Sequence, residues 1–125
     1  MNIIIDFNSD EALYMQLRNQ IIMGIATCQL KEGQSLPSVR VMAEDIGINM
    51  HTVNKAYTIL REEGFVRVDR RKGAVISLDI DKLKALGCIS GQIKPLIAQA
   101  AAAGISKEEL LELCASLYDE IENEK

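Results

Sequence analysis

A chain of 125 residues with 26% charged and 48% hydrophobic side chains is long enough to bury one core without staples and too short for two full-sized domains. Aromatic residues make up only 4%, with no Trp, so Leu, Ile, Val, Met and Ala must fill that core. The net charge of −4 excludes a uniformly basic surface, yet residues 30–78 carry eight basic groups against six acidic ones, while residues 79–125 carry five against nine.

Cys28, Cys88 and Cys114 are odd in number, widely separated and without a C-x-x-C partner, and His51 is the single histidine. Neither a disulfide framework nor a metal site is expected, and no cofactor is implied. The start, MNIIIDFNSDE, has no basic region before its short apolar run, and no run approaches the roughly 20 apolar residues of a membrane span. The expectation is a cytoplasmic protein without membrane contact.

In chain order, Asn8-Ser9-Asp10-Glu11 offers N-cap candidates, with Glu11 three residues after Asn8 as in a capping box. Leu13, Tyr14, Leu17, Ile21, Ile22 and Ile25 follow at spacings of three and four, which predicts an amphipathic helix ending before Lys31-Glu32-Gly33. Leu36-Pro37 breaks the chain. Ser38 can cap a short second helix that buries Val39, Met42, Ala43 and Ile46 and stops at Gly47. Asn49 can cap a third in which Val53, Ala56, Tyr57 and Leu60 point inward before Gly64. Two short helices joined by a tight glycine-containing turn make a helix-turn-helix.

After Gly64 the period changes. Phe65–Val68 and Ala74–Leu78 are β-prone, separated by the charged segment Asp69–Gly73, and a hairpin directly behind such a third helix is a wing. From Asp79 the chain reads helical again, with Leu83, Leu86, Ile89, Ile93, Leu96, Ile97 and Ala100 near one stripe, and Pro95 is expected to kink or restart that helix. Ser106-Lys107-Glu108-Glu109 is a capping box for a last helix whose apolar side is Leu110, Leu111, Leu113, Leu117 and Ile121.

Leu36-Pro37-Ser38-Val39-Arg40, Met42-Ala43, Gly47-Ile48-Asn49, Thr52-Val53, Ala56-Tyr57, Leu60 and Glu63-Gly64-Phe65 together resemble the DNA-binding domain of the GntR family of transcription regulators. The resemblance spans about residues 10–78, and the short two-helix tail is similar to the YtrA-like subfamily. It implies a mainly α fold with a small β-hairpin: a winged helix-turn-helix over residues 1–78, followed by a helical dimerisation region over residues 79–125. It also implies a repressor role at an inverted-repeat operator bound by a homodimer. A small-molecule effector is a further partner to consider, and the short tail would leave it only a dimer or inter-domain cleft.

The site residues follow from the outward face of the third helix, whose N-terminal side chains come closest to base edges in such a motif. Met50, His51, Thr52, Asn54, Lys55 and Thr58 are the candidates there; Asn suits adenine, while His, Thr and Lys suit base edges or phosphate. Ser38 at the start of the second helix, and Arg70, Arg71 and Lys72 in the wing, are candidate backbone anchors, and Arg40 can bring its guanidinium fork to phosphate or to a guanine edge, as the resemblance implies. Two departures from the family stand out. Met50 and Asn54 stand where many relatives have arginine, and Arg71 replaces the first glycine of a G-x-G-like wing tip. An enzyme is not expected, because no nucleophile motif, phosphate loop or paired metal ligands occur. The alternative reading is a winged helix used for protein or RNA contacts.

Overall fold

The computed structural model describes residues 2–125, which form five helices and a two-stranded hairpin: α1 (Leu13–Ala26), α2 (Val39–Ile46), α3 (Met50–Glu62), β1 (Val66–Asp69), β2 (Gly73–Ile76), α4 (Lys82–Ala102) and α5 (Lys107–Asn123). The chain divides into two compact units, Met1–Ile80 and Asp81–Lys125. The fold is the expected one, three helices and a wing followed by two further helices.

In the first unit α3 is the hub, packed against α1, α2 and β1. Leu17 and Ile21 of α1, Met42 and Ala43 of α2, Val53, Ala56, Tyr57 and Leu60 of α3, and Val66 and Ile76 of the hairpin are buried in one cluster. The spacing of the α3 residues puts all four on one side, so the helix buries a single stripe and leaves the opposite side free. Caps set the boundaries. The Ser38 hydroxyl accepts from Val41 N–H at 3.2 Å and the Asn49 side-chain Oδ1 from His51 N–H at 2.7 Å. Between α2 and α3, Gly47 closes the turn in the left-handed region, at φ +73°.

The expected capping box at the start of α1 does not form. The helix begins after Ala12 with no side-chain cap, and the Ser9 hydroxyl accepts instead from Glu11 N–H at 3.1 Å. The segment ahead of α1 is held differently: the side-chain amide of Gln16 accepts from Asp6 N–H and donates to Asp6 C=O, both at 2.9 Å, and Gln20 does the same with Ile4, at 2.9 and 2.6 Å. Ile3 and Ile5 thereby pack onto the core. At the other end of α3, the guanidinium of Arg18 forms a two-toothed pair with the Glu63 carboxylate, tying α1 to the end of the third helix.

The hairpin pairs Val66 with Ile76 through to Asp69 with Gly73. On its far side β2 also meets the segment before α2: Leu36 N–H donates to Ala74 C=O, Ile76 N–H to Gln34 C=O and Gly33 N–H to Ile76 C=O, each at 2.8 Å, with a bridge between Ser35 and Val75. The stretch that sequence reads only as a turn and a break thus supplies a third edge to the wing.

In the second unit, α4 runs unbroken through Pro95, so of the expected kink or restart the helix does not restart. Its ring crowds the carbonyl four residues back, and that residue is Gly91, whose backbone has freedom to give way. The capping box at Ser106 and Glu109 forms as expected, both hydrogen bonds being present. Ala100 is buried where the chain turns between the helices, and Ile105 N–H donates to its carbonyl at 2.9 Å. The large apolar side chains are not buried: Leu83, Leu86, Ile89, Leu96, Leu111 and Leu113 are all more than half exposed.

Candidate nucleic-acid interface

The side of α3 opposite its buried stripe carries Met50, His51, Asn54 and Lys55, all exposed, with Thr52 and Thr58 half-buried at its margins. Helical geometry makes this set continuous: residues 50, 51, 54, 55 and 58 fall within one sector of the helix, while 53, 56, 57 and 60 fall in the other. Asn49 sits at the helix start with its side chain turned back to cap, so the N-terminal turn is stiff where the exposed face begins. The face offers a thioether, an imidazole, an amide and an ammonium in succession.

Lys55 is less free than its exposure suggests. Its Nζ lies 4.0 Å from the centroid of the Tyr14 ring of α1, an arrangement in which the negative face of the ring attracts the cation. Tyr14, read from sequence as one of several residues on an apolar stripe, therefore also seats a charge at the edge of the recognition face.

Ser38 and Arg40 stand at the start of α2, both exposed. The turn that leads into this helix is fixed from below, where the hydroxyl of the buried Tyr57 donates to the Pro37 carbonyl at 2.8 Å. Burial raises the phenol above its ordinary range, so it remains a protonated donor. Sequence placed Tyr57 in the core and had no means of showing where its hydroxyl went.

The wing tip is a three-residue loop, Arg70, Arg71 and Lys72, with all three side chains exposed. The position that lacks the family's first glycine is accommodated by Asp69, whose carboxylate accepts from Arg71 N–H at 2.8 Å and Lys72 N–H at 3.0 Å. Those two hydrogen bonds lead in holding the Asp69 carboxyl below the ordinary carboxylate range, and Arg67, 3.5 Å away, adds to them. Gly73 then returns the chain to the strand in the left-handed region. The three cations are thus presented on a turn in which the Arg71 and Lys72 backbone donors are already occupied.

Among the described residues no cluster of three or more His, Cys, Asp or Glu side chains could hold a metal ion, and no helix is long and apolar enough to cross a membrane. The three cysteines are free.

A helix-turn-helix with an exposed polar third helix, followed by a basic wing, defines a DNA-binding protein of the winged class. Comparison with known proteins places it further: residues 11–76 match the bacterial regulatory proteins of the gntR family, and the chain belongs to that family of DNA-binding transcription regulators, which are not enzymes. It is 33% identical to the HTH-type transcriptional repressor YtrA of Bacillus subtilis, in an alignment covering 92% of this chain and 88% of that one. A crystal structure from Listeria monocytogenes, described as a transcriptional antiterminator, superimposes with a TM-score of 0.83 at 29% identity, covering 94% of this chain and 90% of that one. The GntR-family transcription factor YtrA from Sulfolobus acidocaldarius gives a TM-score of 0.61 at 38% identity over 73% of this chain and 96% of that one. The similarity to short regulators of the YtrA type extends past the winged unit into the helical tail.

Proposed function

We propose that the chain is a transcriptional repressor that binds an inverted-repeat operator as a homodimer, with residues 1–78 gripping DNA and residues 79–125 joining the two copies. The observation that carries the reading is the division of polar groups by position. Met50, His51, Asn54, Lys55 and Thr58 lie along one side of a capped α3 with Thr52 at its margin, while Ser38, Arg40, Arg70, Arg71 and Lys72 lie at a helix start and a hairpin tip. The first set suits base edges in the major groove and the second suits phosphates. Repression is supported by the name of the Bacillus subtilis relative.

Dimerisation through the tail is supported by what α4 and α5 leave uncovered. Leu83 is 82% exposed and Tyr118 71%, and each buried large apolar side chain contributes about 1.5–3 kcal/mol. A second copy of the same unit offers a matching apolar face, and a two-fold pair sets two recognition helices one DNA turn apart, roughly 34–36 Å, or a multiple of it.

Selection of binding sites from random duplex DNA, run beside light scattering on the full chain and on a truncation ending at Leu78, tests the reading. An inverted-repeat consensus, a dimeric full chain and a monomeric truncation of much reduced affinity are expected. A monomeric full chain, a truncation that still dimerises, or binding to RNA hairpins without binding to duplex DNA would overturn it.

A further inference from the structure

We infer that Tyr57 is a positioning residue for DNA binding: its buried hydroxyl, bonded to the Pro37 carbonyl, fixes the start of α2 on α3 and so sets where Ser38 and Arg40 meet the phosphate backbone. The inference rests on the proposed role of Arg40 and adds a residue that does not itself reach DNA.

The two functional surfaces sit on different helices, and only their relative placement makes them one interface. Apolar packing between α2 and α3 is supplied by Met42, Ala43 and Val53, which are soft to sliding and rotation because apolar contacts carry little direction. The hydrogen bond between Tyr57 and Pro37 is directional, at 2.8 Å, and spans 20 residues of sequence. It falls at the residue before the Ser38 cap, so the cap, the first turn of α2 and Arg40 inherit its geometry. Tyr57 is rigid to a degree a long flexible donor is not, having two side-chain torsions, and it is 7% exposed, so its ring is held by the core on all sides. On the far side of the same loop, Leu36 N–H is held by Ala74 C=O at 2.8 Å. The entry to α2 is therefore tied to the wing at Leu36 and to the recognition helix at Pro37, and the three DNA-facing elements share one short loop.

The test is a double-mutant cycle on the full-length protein, with Kd for the selected operator measured at several salt concentrations and well below the melting temperature of each variant. Tyr57→Phe removes one oxygen and leaves the ring in place. It is expected to weaken binding roughly fivefold to tenfold, about the worth of one hydrogen bond, equally for every operator variant, and to lower the salt slope. Arg40→Ala alone weakens binding, and adding Tyr57→Phe to it costs less than twofold more, because the tyrosine acts through a contact already gone. A role in stability alone would lower the melting temperature while leaving Kd and the salt slope of the folded protein unchanged, and that result overturns the inference, as does full additivity of the two losses. If Arg40→Ala leaves Kd unchanged, the phosphate role of Arg40 fails, and the inference with it; if Arg40→Ala weakens binding and Tyr57→Phe does not, only the inference fails. A second variant does not depend on how well Tyr57→Phe folds. Pro37→Gly loosens the same loop but keeps both the carbonyl and the tyrosine, and it is expected to cost no more than about twofold. A loss as large as that of Arg40→Ala would make the proline ring the element that sets the helix start, and would overturn the inference.

Discussion

Gly64 ends the third helix at φ +90°, and a Cβ there would lie 2.5 Å from the Asp79 backbone oxygen and 3.2 Å from the Ile80 Cδ1. Gly64→Ala therefore meets two separate costs. Left-handed backbone costs an L-residue about 1–2 kcal/mol. The methyl group also falls about 1 Å short of ordinary separation from a backbone carbonyl, and moving that backbone is overpacking, typically about 1–3 kcal/mol. The segment cannot move freely, since Ser77 N–H is held by Phe65 C=O at 2.9 Å. The expected loss is about 2–5 kcal/mol, which for a unit of this size lowers Tm by at least about 10 °C. Gly47 provides the control: its φ is +73°, but nothing lies within 4 Å of an added Cβ, so Gly47→Ala carries the backbone cost alone, about 1–2 kcal/mol. Urea unfolding of the three proteins at equal concentration separates the two contributions. Losses that agree within about 0.5 kcal/mol would refute the argument from the Asp79 carbonyl.

Three further outcomes follow from the interface. Tyr14→Leu, which removes the ring beneath Lys55 and keeps an apolar side chain, is expected to cost about 0.5–1 kcal/mol by urea unfolding, whereas Tyr14→Phe should be neutral; equal effects would deny the cation–π contact. Asn54→Ala should change which base is preferred at one position of the half-site, whereas neutralising Arg70, Arg71 and Lys72 together should weaken all sequences and flatten the salt slope by up to about 2.7 per half-site; parallel binding-site selection and salt titration distinguish them. The wing tip should be insensitive to mild acid. Because folding lowers the Asp69 carboxyl below its unfolded range, its contribution is complete above that range and disappears only as pH falls through the lower folded value. The amide signals of Arg71 and Lys72 should hold steady from pH 7 to pH 5 and move together only below about pH 4; a joint transition near pH 6 would contradict the Asp69 turn.

The helices of this protein were legible where the signal was local. Ser38, Asn49 and Ser106 each cap the helix that their position predicts, because a cap is a contact between neighbours in sequence. The buried stripe of α3 was readable for the same reason, since its periodicity needs no knowledge of what covers it. The α1 capping box failed because the residues that would have formed it, Asn8 to Glu11, are drawn into local turns of their own. The third edge of the wing was hidden by its composition, because Gly33 to Leu36 pairs through backbone groups and its side chains carry no strand pattern. Tyr14 and Tyr57 looked like two more apolar positions at helical spacing. What distinguishes them, a lysine on another helix and a carbonyl 20 residues back, exists only once the chain is folded.

The paired glutamines of α1 show how a helix can stand in for a β-strand. Two residues of extended chain advance about 6.7 Å and four residues of helix about 6 Å, so Gln16 and Gln20 meet Asp6 and Ile4 in near register as the two segments run in opposite directions. Each side-chain amide turns one N–H donor and its acceptor oxygen toward the extended segment, as a peptide group does, and so completes a rung of a ladder whose other rail is a helix, while Gln16 Nε2 also donates to Glu11 C=O at 2.9 Å. The recognition depends on main-chain atoms of the bound segment and on side chains of the helix. Residues 4 and 6 can therefore vary widely, while even the smallest change at 16 or 20 is felt: Gln→Glu keeps the acceptor, loses the donor and turns a carboxylate toward a carbonyl.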